Sequence, residues 1–296
     1  MRDSFADYHP LFNFLYFIMV IGFSLALQHP LAQGISLFCA ALYTATTEGR
    51  KGLRFLVGYG LPIVLLTTLL NPLFNHEGTT VLMYFRSGNP LTLESVLYGI
   101  SSGIMLLTLL LWFRSVNRVM TTDKFLYLFG KRIPALSLVL CMTFRLIPKF
   151  KVQMTEVADA QRSIGRDVSS GTLWQRTGTA VRIISILITW ALENAIETAD
   201  SMKSRGYGLP GRTTFSVYRM EKRDKCLFVW LIFCGVTLVT GAVLKMFDVR
   251  YFPTIRYMTP GGAAIPFYVI YAALCLTPIL MNAKEERKWN SLRSEM

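Results

Sequence analysis

The chain has 296 residues, 52% of them hydrophobic, and a mean hydropathy of +0.41. This excludes an ordinary soluble domain, whose surface water could not cover at that composition. Charged residues are only 17% of the chain, yet the net charge is +13, the balance of a polytopic membrane protein whose basic loops face anionic lipid.

No Asp, Glu, Lys or Arg occurs between Tyr8 and Thr47. About 20 apolar residues cross a bilayer, so this stretch is read as two spans, 11–28 and 31–47, joined by a tight turn at Pro30. The opening MRDSFADYHP lacks a basic leader and no A-x-A site follows, so 11–28 is expected to be a retained span. The basic EGRKGLR (48–54) is expected in the cytoplasm. A third span covers 55–73, an outside loop follows with its turn residues, and a fourth span covers 95–113. These make up an N-terminal transmembrane region, 1–113.

Residues 114–225 differ. They hold 19 of the 31 Lys and Arg against 9 Asp and Glu, interleaved with apolar residues. That pattern predicts long amphipathic helices under or beside the membrane, at its cytoplasmic face. One begins at Pro134, with Pro148 as an expected kink, and another runs from Leu173 to Arg205. Residues 226–296 then give two uncharged spans, 226–244 and 264–282, and a basic tail. The fold class is therefore all-α, a polytopic helical membrane protein with long cytoplasmic helices. Six spans with both termini inside satisfy the positive-inside rule best, and the apolar parts of 134–147 and 183–192 leave the count open by about two. The basic residues flank apolar runs and form no separate domain, which argues against nucleic acid as a partner.

Catalytic motifs are missing from the sequence. His9, His29 and His76 lie near span ends, and HExxH, GxSxG, Cys–His metal spacing and the GxxxxGK[ST] phosphate loop do not occur. The expectation is no catalytic residue, no metal and no cofactor of the chain's own. Cys39, Cys141, Cys226, Cys234 and Cys275 form no CxxC pair and read as free thiols. Glu94, Glu193 and Glu197 read as residues of span edges or of a cytoplasmic face.

The informative stretches are ADAQRSIGRD (158–167) and ADSMKSRGYGLPG (199–211). Ile184, Ile188, Ala191, Ala195, Ala199 and Met202 share one stripe of the second helix, and Ala191, Ala195 and Ala199 form a small-xxx-small ridge suited to helix–helix packing. Its end has two readings. Arg205 and Gly206 make a helix stop. They also make a rigid mount for an exposed guanidinium, which holds carboxylates and helix-end carbonyls at once. The upstream end, with Arg162 and Gly165, has the same form, and Asp159 with Arg162 reads equally as a solvated i,i+3 pair.

With NPLFNHEG (71–78), LTLESVLYG (91–99), TTDKFLYLFGK (121–131) and FRLIPKF (144–150), these two motifs make the chain resemble the transmembrane T component of energy-coupling factor transporters, the EcfT/CbiQ family, over nearly its whole length. The resemblance implies a non-catalytic scaffold in the prokaryotic cell membrane. Its implied partners are two cytoplasmic ATPase subunits, which bind the ATP, and a small membrane S component that captures a vitamin or metal ion. It implies docking of the ATPases by Ser204, Arg205 and Gly206 and by Ser163, Ile164 and Gly165, with Arg162 and Arg166 flanking. Isoleucine stands at 164 where the family commonly has arginine, and these unequal motifs point to two different ATPases. The competing readings are a conventional ATP-driven importer permease lining its own substrate path, and a membrane enzyme acting without partners.

Overall fold

The computed structural model describes residues 3–84, 90–130, 133–209, 218, 220–257, 262 and 264–294. The chain divides into two compact bodies, one made of Met1–Lys124 and Tyr218–Met296, the other of Phe125–Val217. Several stretches named above lie outside the described residues: 85–89 of the outside loop, Lys131, 210–213 after the second motif, and 258–261.

The first body opens with a 3-10 turn, Ser4–Asp7, then α1 (Pro10–Ala26) and α2 (Pro30–Glu48). Both helices start the same way. His9 and His29 occupy the N-cap, each Nδ1 accepts the backbone N–H two residues on (3.2 and 3.3 Å), and a proline follows in the first turn. Proline suits that position because the N–H it lacks would have no partner there. The two histidines, expected near span ends, are therefore helix caps.

After Gly49, α3 (Arg50–Phe55), a π-helical turn (Leu56–Gly60) and α4 (Leu61–Phe74) form one continuous rod. A small antiparallel hairpin, β1 (Val81–Tyr84) with β2 (Pro90–Thr92), fills part of the expected loop. Then comes α5 (Leu93–Val119), followed by α6 (Thr122–Gly130), of which only the first turn belongs to this body. The body closes with α9 (Lys222–Val243), a second hairpin, β3 (Val249–Arg250) with β4 (Arg256–Tyr257), and α10 (Ile265–Ser294).

An aromatic cluster holds the body together. Phe5, Phe12, Tyr16, Phe17, Tyr43 and Trp112 are almost wholly buried. Phe5 meets Tyr16 edge-on at 5.2 Å, and Tyr16 meets Trp112 at 6.3 Å. Each such pair adds about 0.5–1.5 kcal/mol beyond area burial. The Trp112 indole and three buried hydroxyls are paired in a chain: Trp112 Nε1 donates to Ser36 Oγ at 3.1 Å, Ser36 meets Ser24 at 2.7 Å, and Ser24 meets the Tyr271 hydroxyl at 3.1 Å. In hydrocarbon no water is present to satisfy them, so the protein must. At one end Arg114 Nε donates to Glu48 Oε2 at 2.7 Å, and its guanidinium lies 4.2 Å from the centre of the Phe55 ring.

α4 and α5 approach closely because Gly99 and Gly103 face α4. A Cβ on Gly99 would sit 2.9 Å from Thr68 Cα, and one on Gly103 would sit 2.9 Å from Val64 Cα. The outer side of α3–α4 is apolar and exposed, with Leu53, Val57, Leu61, Leu65, Leu69 and Phe74. A contiguous face of that kind belongs against lipid or another membrane protein.

Among the described residues, five helices are long and apolar enough to cross a membrane: Arg50–Phe74, Leu93–Val119, Leu173–Ser204, Lys222–Val243 and Ile265–Arg293. The set differs from the six expected spans. α1 is apolar but has 17 residues, and α2 is diluted by inward-facing Gln33, Ser36 and Thr44. The helix at Leu173–Ser204, predicted as amphipathic, qualifies through its apolar stretch at 183–192. α10 also continues through the expected tail, since AKEERKWNSLRS consists largely of good helix formers.

The second body is built on α7 (Pro134–Ser163) and α8 (Leu173–Ser204). α7 begins at Pro134 and continues through Pro148. The helices meet near their middles, where the Phe150 ring lies 6.2 Å from Trp190. Ile183 and Leu187 are buried, while Ile184 and Ile188, one step round the helix, are exposed.

Candidate functional site

The two predicted docking motifs lie at the C-terminal ends of α7 and α8, and both ends have the same backbone architecture. A helix leaves its last carbonyls without partners, and a glycine in left-handed conformation turns the chain back to supply N–H donors. At α7, Gly165 (φ +80°) donates to the Arg162 carbonyl at 3.0 Å, and Arg166 N–H donates to the Gln161 carbonyl at 3.0 Å. At α8, Gly206 (φ +75°) donates to the Lys203 carbonyl at 2.9 Å, and Tyr207 N–H donates to the Met202 carbonyl at 3.0 Å. Each is a complete Schellman cap, with the 6→1 and the 5→2 bond both formed.

The side chains before the glycines agree in part. Ser163 Oγ donates to the Asp159 carbonyl at 3.0 Å, and Ser204 Oγ donates to the Ser201 carbonyl at 2.9 Å. Ile164 (φ −96°, ψ 18°) and Arg205 (φ −83°, ψ 8°) then occupy equivalent C-cap positions. Both are exposed, Ile164 at 63%. Among the described residues the Arg205 side chain makes no ion pair. The structure thus aligns Ser163-Ile164-Gly165 with Ser204-Arg205-Gly206, one residue for one residue.

The flanking arginines are placed differently. Arg162 Nε lies 3.6 Å from Asp167 Oδ2. Asp167 accepts from the Ser169 hydroxyl at 2.6 Å and the Ser169 N–H at 3.0 Å, which hold its carboxyl below the ordinary carboxylate range. Arg166 is exposed and supplies the 6→1 bond through its backbone. The connection to α8 is tied locally: Arg176 Nε donates to the Val168 carbonyl at 2.7 Å, and Thr172 and Gln175 form a capping box.

Along α8, Ala191 is half-buried, and Ala195 and Ala199 are exposed. The stripe through Ile183, Leu187 and Trp190 carries the burial within this body. Trp190, the bulkiest side chain in that stretch, selects the face that meets α7. One feature was not singled out in sequence: Gly99-x-x-x-Gly103 sets the approach of α5 to α4. Among the described residues no group of three His, Cys, Asp or Glu side chains is placed to hold a metal ion.

Residues 9–216 match the family model of CbiQ, described as cobalt transport protein. An energy-coupling factor transporter transmembrane protein EcfT from Lacticaseibacillus paracasei is 27% identical over 229 residues, covering 72% of this chain and 83% of the relative. The EcfT protein of Listeria innocua is 28% identical over 212 residues, covering 66% and 78%. That of Lactobacillus helveticus is 31% identical over a shorter match of 118 residues, covering 39% and 43%. The family match takes in more than half of the chain and the whole of both helix ends, and it coincides with an all-helical, multi-span architecture. The chain belongs to the EcfT/CbiQ family of energy-coupling factor transporter transmembrane components, multi-pass proteins of the prokaryotic cell membrane.

Proposed function

We propose that the chain is the scaffold and transmission element of an importer, docking two cytoplasmic ATPase subunits through the ends of α7 and α8. The ATPases bind and hydrolyse ATP, and the chain itself is not a catalyst. A separate membrane S component captures the substrate, a vitamin or metal ion, and movement of α7 and α8 is passed to it. The observation that carries this reading is the pair of matching, solvent-facing helix caps, each mounting one exposed side chain on a rigid turn. A helix stop alone requires the glycine and its two hydrogen bonds. It does not require an exposed guanidinium without an ion-pair partner among the described residues.

Native mass spectrometry of the tagged chain, coexpressed with its ATPases and gently solubilised, tests the reading. Breaking a desolvated charged contact costs about 2–5 kcal/mol, on the order of thirty- to several-thousand-fold in affinity. Arg205→Glu is expected to lose ATPase from the complex while the chain still inserts. Full retention of both ATPases, with unchanged uptake, would overturn the role given to Arg205.

A further inference from the structure

The first body has a cavity with a volume of about 370 Å³, within the range of small-ligand sites. α10 lines it with Asn282, Glu286, Trp289 and Arg293, spaced i, i+4, i+7 and i+11 and so on one stripe of the helix. Asp3 and Thr47 also line it. Asp3 is fixed in place: the Tyr43 hydroxyl donates to its Oδ2 at 2.8 Å and Asn282 Nδ2 donates to its Oδ1 at 2.9 Å, while Asn282 Oδ1 accepts the Phe5 N–H at 2.9 Å. A carboxylate has about four acceptor sites, so Asp3 keeps capacity for further donors. Glu286 and Arg293 make no ion pair among the described residues. About 10 Å of helix rise separates them, which leaves both charges open to a third group. The cavity lies at the edge of the bilayer. α2 carries no charge before Glu48 and α10 none before Lys284, and Trp289, 59% exposed, is a residue type of the headgroup layer. The α10 wall also lies beyond the family match, which ends at residue 216.

We infer that this cavity holds the headgroup of a membrane phospholipid with a primary ammonium, a phosphoethanolamine group. The lining carries two carboxylates and one guanidinium, and a zwitterion meets both signs. The ammonium donates to Asp3 and Glu286 and rests against the Trp289 ring, a cation–π contact. The phosphate takes the Arg293 guanidinium, whose planar fork suits phosphate oxygens. Selection also works by exclusion. A choline headgroup has no N–H to donate, so it leaves the carboxylates without donors. A glycerol headgroup brings a negative charge and no cation, and the two carboxylates repel it. Bound there, the lipid bridges the start of the chain and the end of α2 to the part of α10 that leaves the bilayer. The inference is independent of the docking reading above.

Native mass spectrometry of the full chain in detergent tests it. The chain is titrated separately with phosphatidylethanolamine, phosphatidylcholine and phosphatidylglycerol of identical acyl chains. One phosphatidylethanolamine is expected to bind at least about tenfold more tightly than either of the others. Glu286→Gln is expected to lower that affinity by about tenfold, to the level of phosphatidylcholine, because a charge-assisted hydrogen bond is lost. Arg293→Gln is expected to weaken phosphatidylethanolamine and phosphatidylcholine by similar factors, because both carry the phosphate. Both residues are exposed, so neither variant threatens folding, and unfolding temperatures without added lipid verify this. Glycerophosphoethanolamine, the same headgroup without acyl chains, separates a lipid from a soluble ligand and is expected to compete only in large excess. Displacement of the lipid by an equal concentration of it would overturn the lipid assignment. Equal retention of the three lipids, or an undiminished preference for phosphatidylethanolamine in Glu286→Gln, would overturn the inference outright.

Discussion

Gly165 and Gly206 hold a conformation that costs a residue with a Cβ about 1–2 kcal/mol. At Gly206 a Cβ would also lie 3.1 Å from Leu209 Cδ1, whereas at Gly165 it meets open space. Gly206→Ala should therefore fray the last turn of α8 and weaken ATPase retention by roughly tenfold, with Arg205 still present. The loss should be smaller than for Arg205→Glu. Titration of purified ATPase onto both variants in detergent would rank them, and equal losses would mean that the cap and the charge are one determinant. The Arg114–Glu48 pair makes a different kind of demand. Its side chains are 30% and 15% exposed, so solvent screens it only in part. Glu48→Gln weakens a hydrogen-bonded charge contact and should lower stability by about 1.5–3 kcal/mol, measurable by thermal unfolding in detergent. The two helix stops were legible because a glycine suited to the left-handed conformation follows each run of helix formers. The pairing of Ile164 with Arg205 was legible from the two motifs, whereas the complete Schellman cap at each end needed the backbone hydrogen bonds.

Helices were the most legible elements. α7 begins at the predicted Pro134, and α8 begins and ends within a residue of the predicted Leu173–Arg205, since proline, an N-terminal cap and glycine mark those points physically. α1 and α2 were legible from the lack of charge alone. The π-turn at Leu56–Gly60 was not, because its apolar residues continue the pattern on both sides. The continuation of α10 was hidden by charge, which signals solvent and says little about helix. Packing partners were legible least. α8 presents two adjacent apolar stripes, and spacing does not say which one Trp190 will commit to α7. α4 and α5 pack closely at two glycines that leave no room for a methyl group. Gly99→Ala should push α5 from the Thr68 backbone and cost about 1–3 kcal/mol. A lowered unfolding temperature would show this, and no change would mean that the helices slide apart at little cost.

At the scale of the molecule, the first body depends on ties between segments distant in sequence. The buried Lys124 ammonium donates to the Ala6 carbonyl and to the Val119 carbonyl, the latter at 2.9 Å, joining the N-terminal turn to the end of α5. Desolvation pulls its pKa below the ordinary 10.5, against the opposing pull of Asp7 and Asp3. The folded chain therefore releases this proton before the unfolded chain does. Between the lowered value and about 10.5 the unfolded chain holds more protons, so this group's contribution makes stability rise with pH across that window. Lys124→Met should remove that alkaline rise while lowering stability near neutral pH, and unfolding temperatures taken up to pH 10.5 would reveal both effects. The second body carries a mechanical consequence. Phe150 and Trp190 touch about halfway along their helices, with arms of roughly 20–25 Å on either side at 1.5 Å per residue. A fulcrum at the midpoint gives a lever ratio close to one. Under the proposed docking, a displacement imposed at either tip would return at the opposite end with nearly equal size and reversed direction, so the pair would relay a stroke without amplifying it.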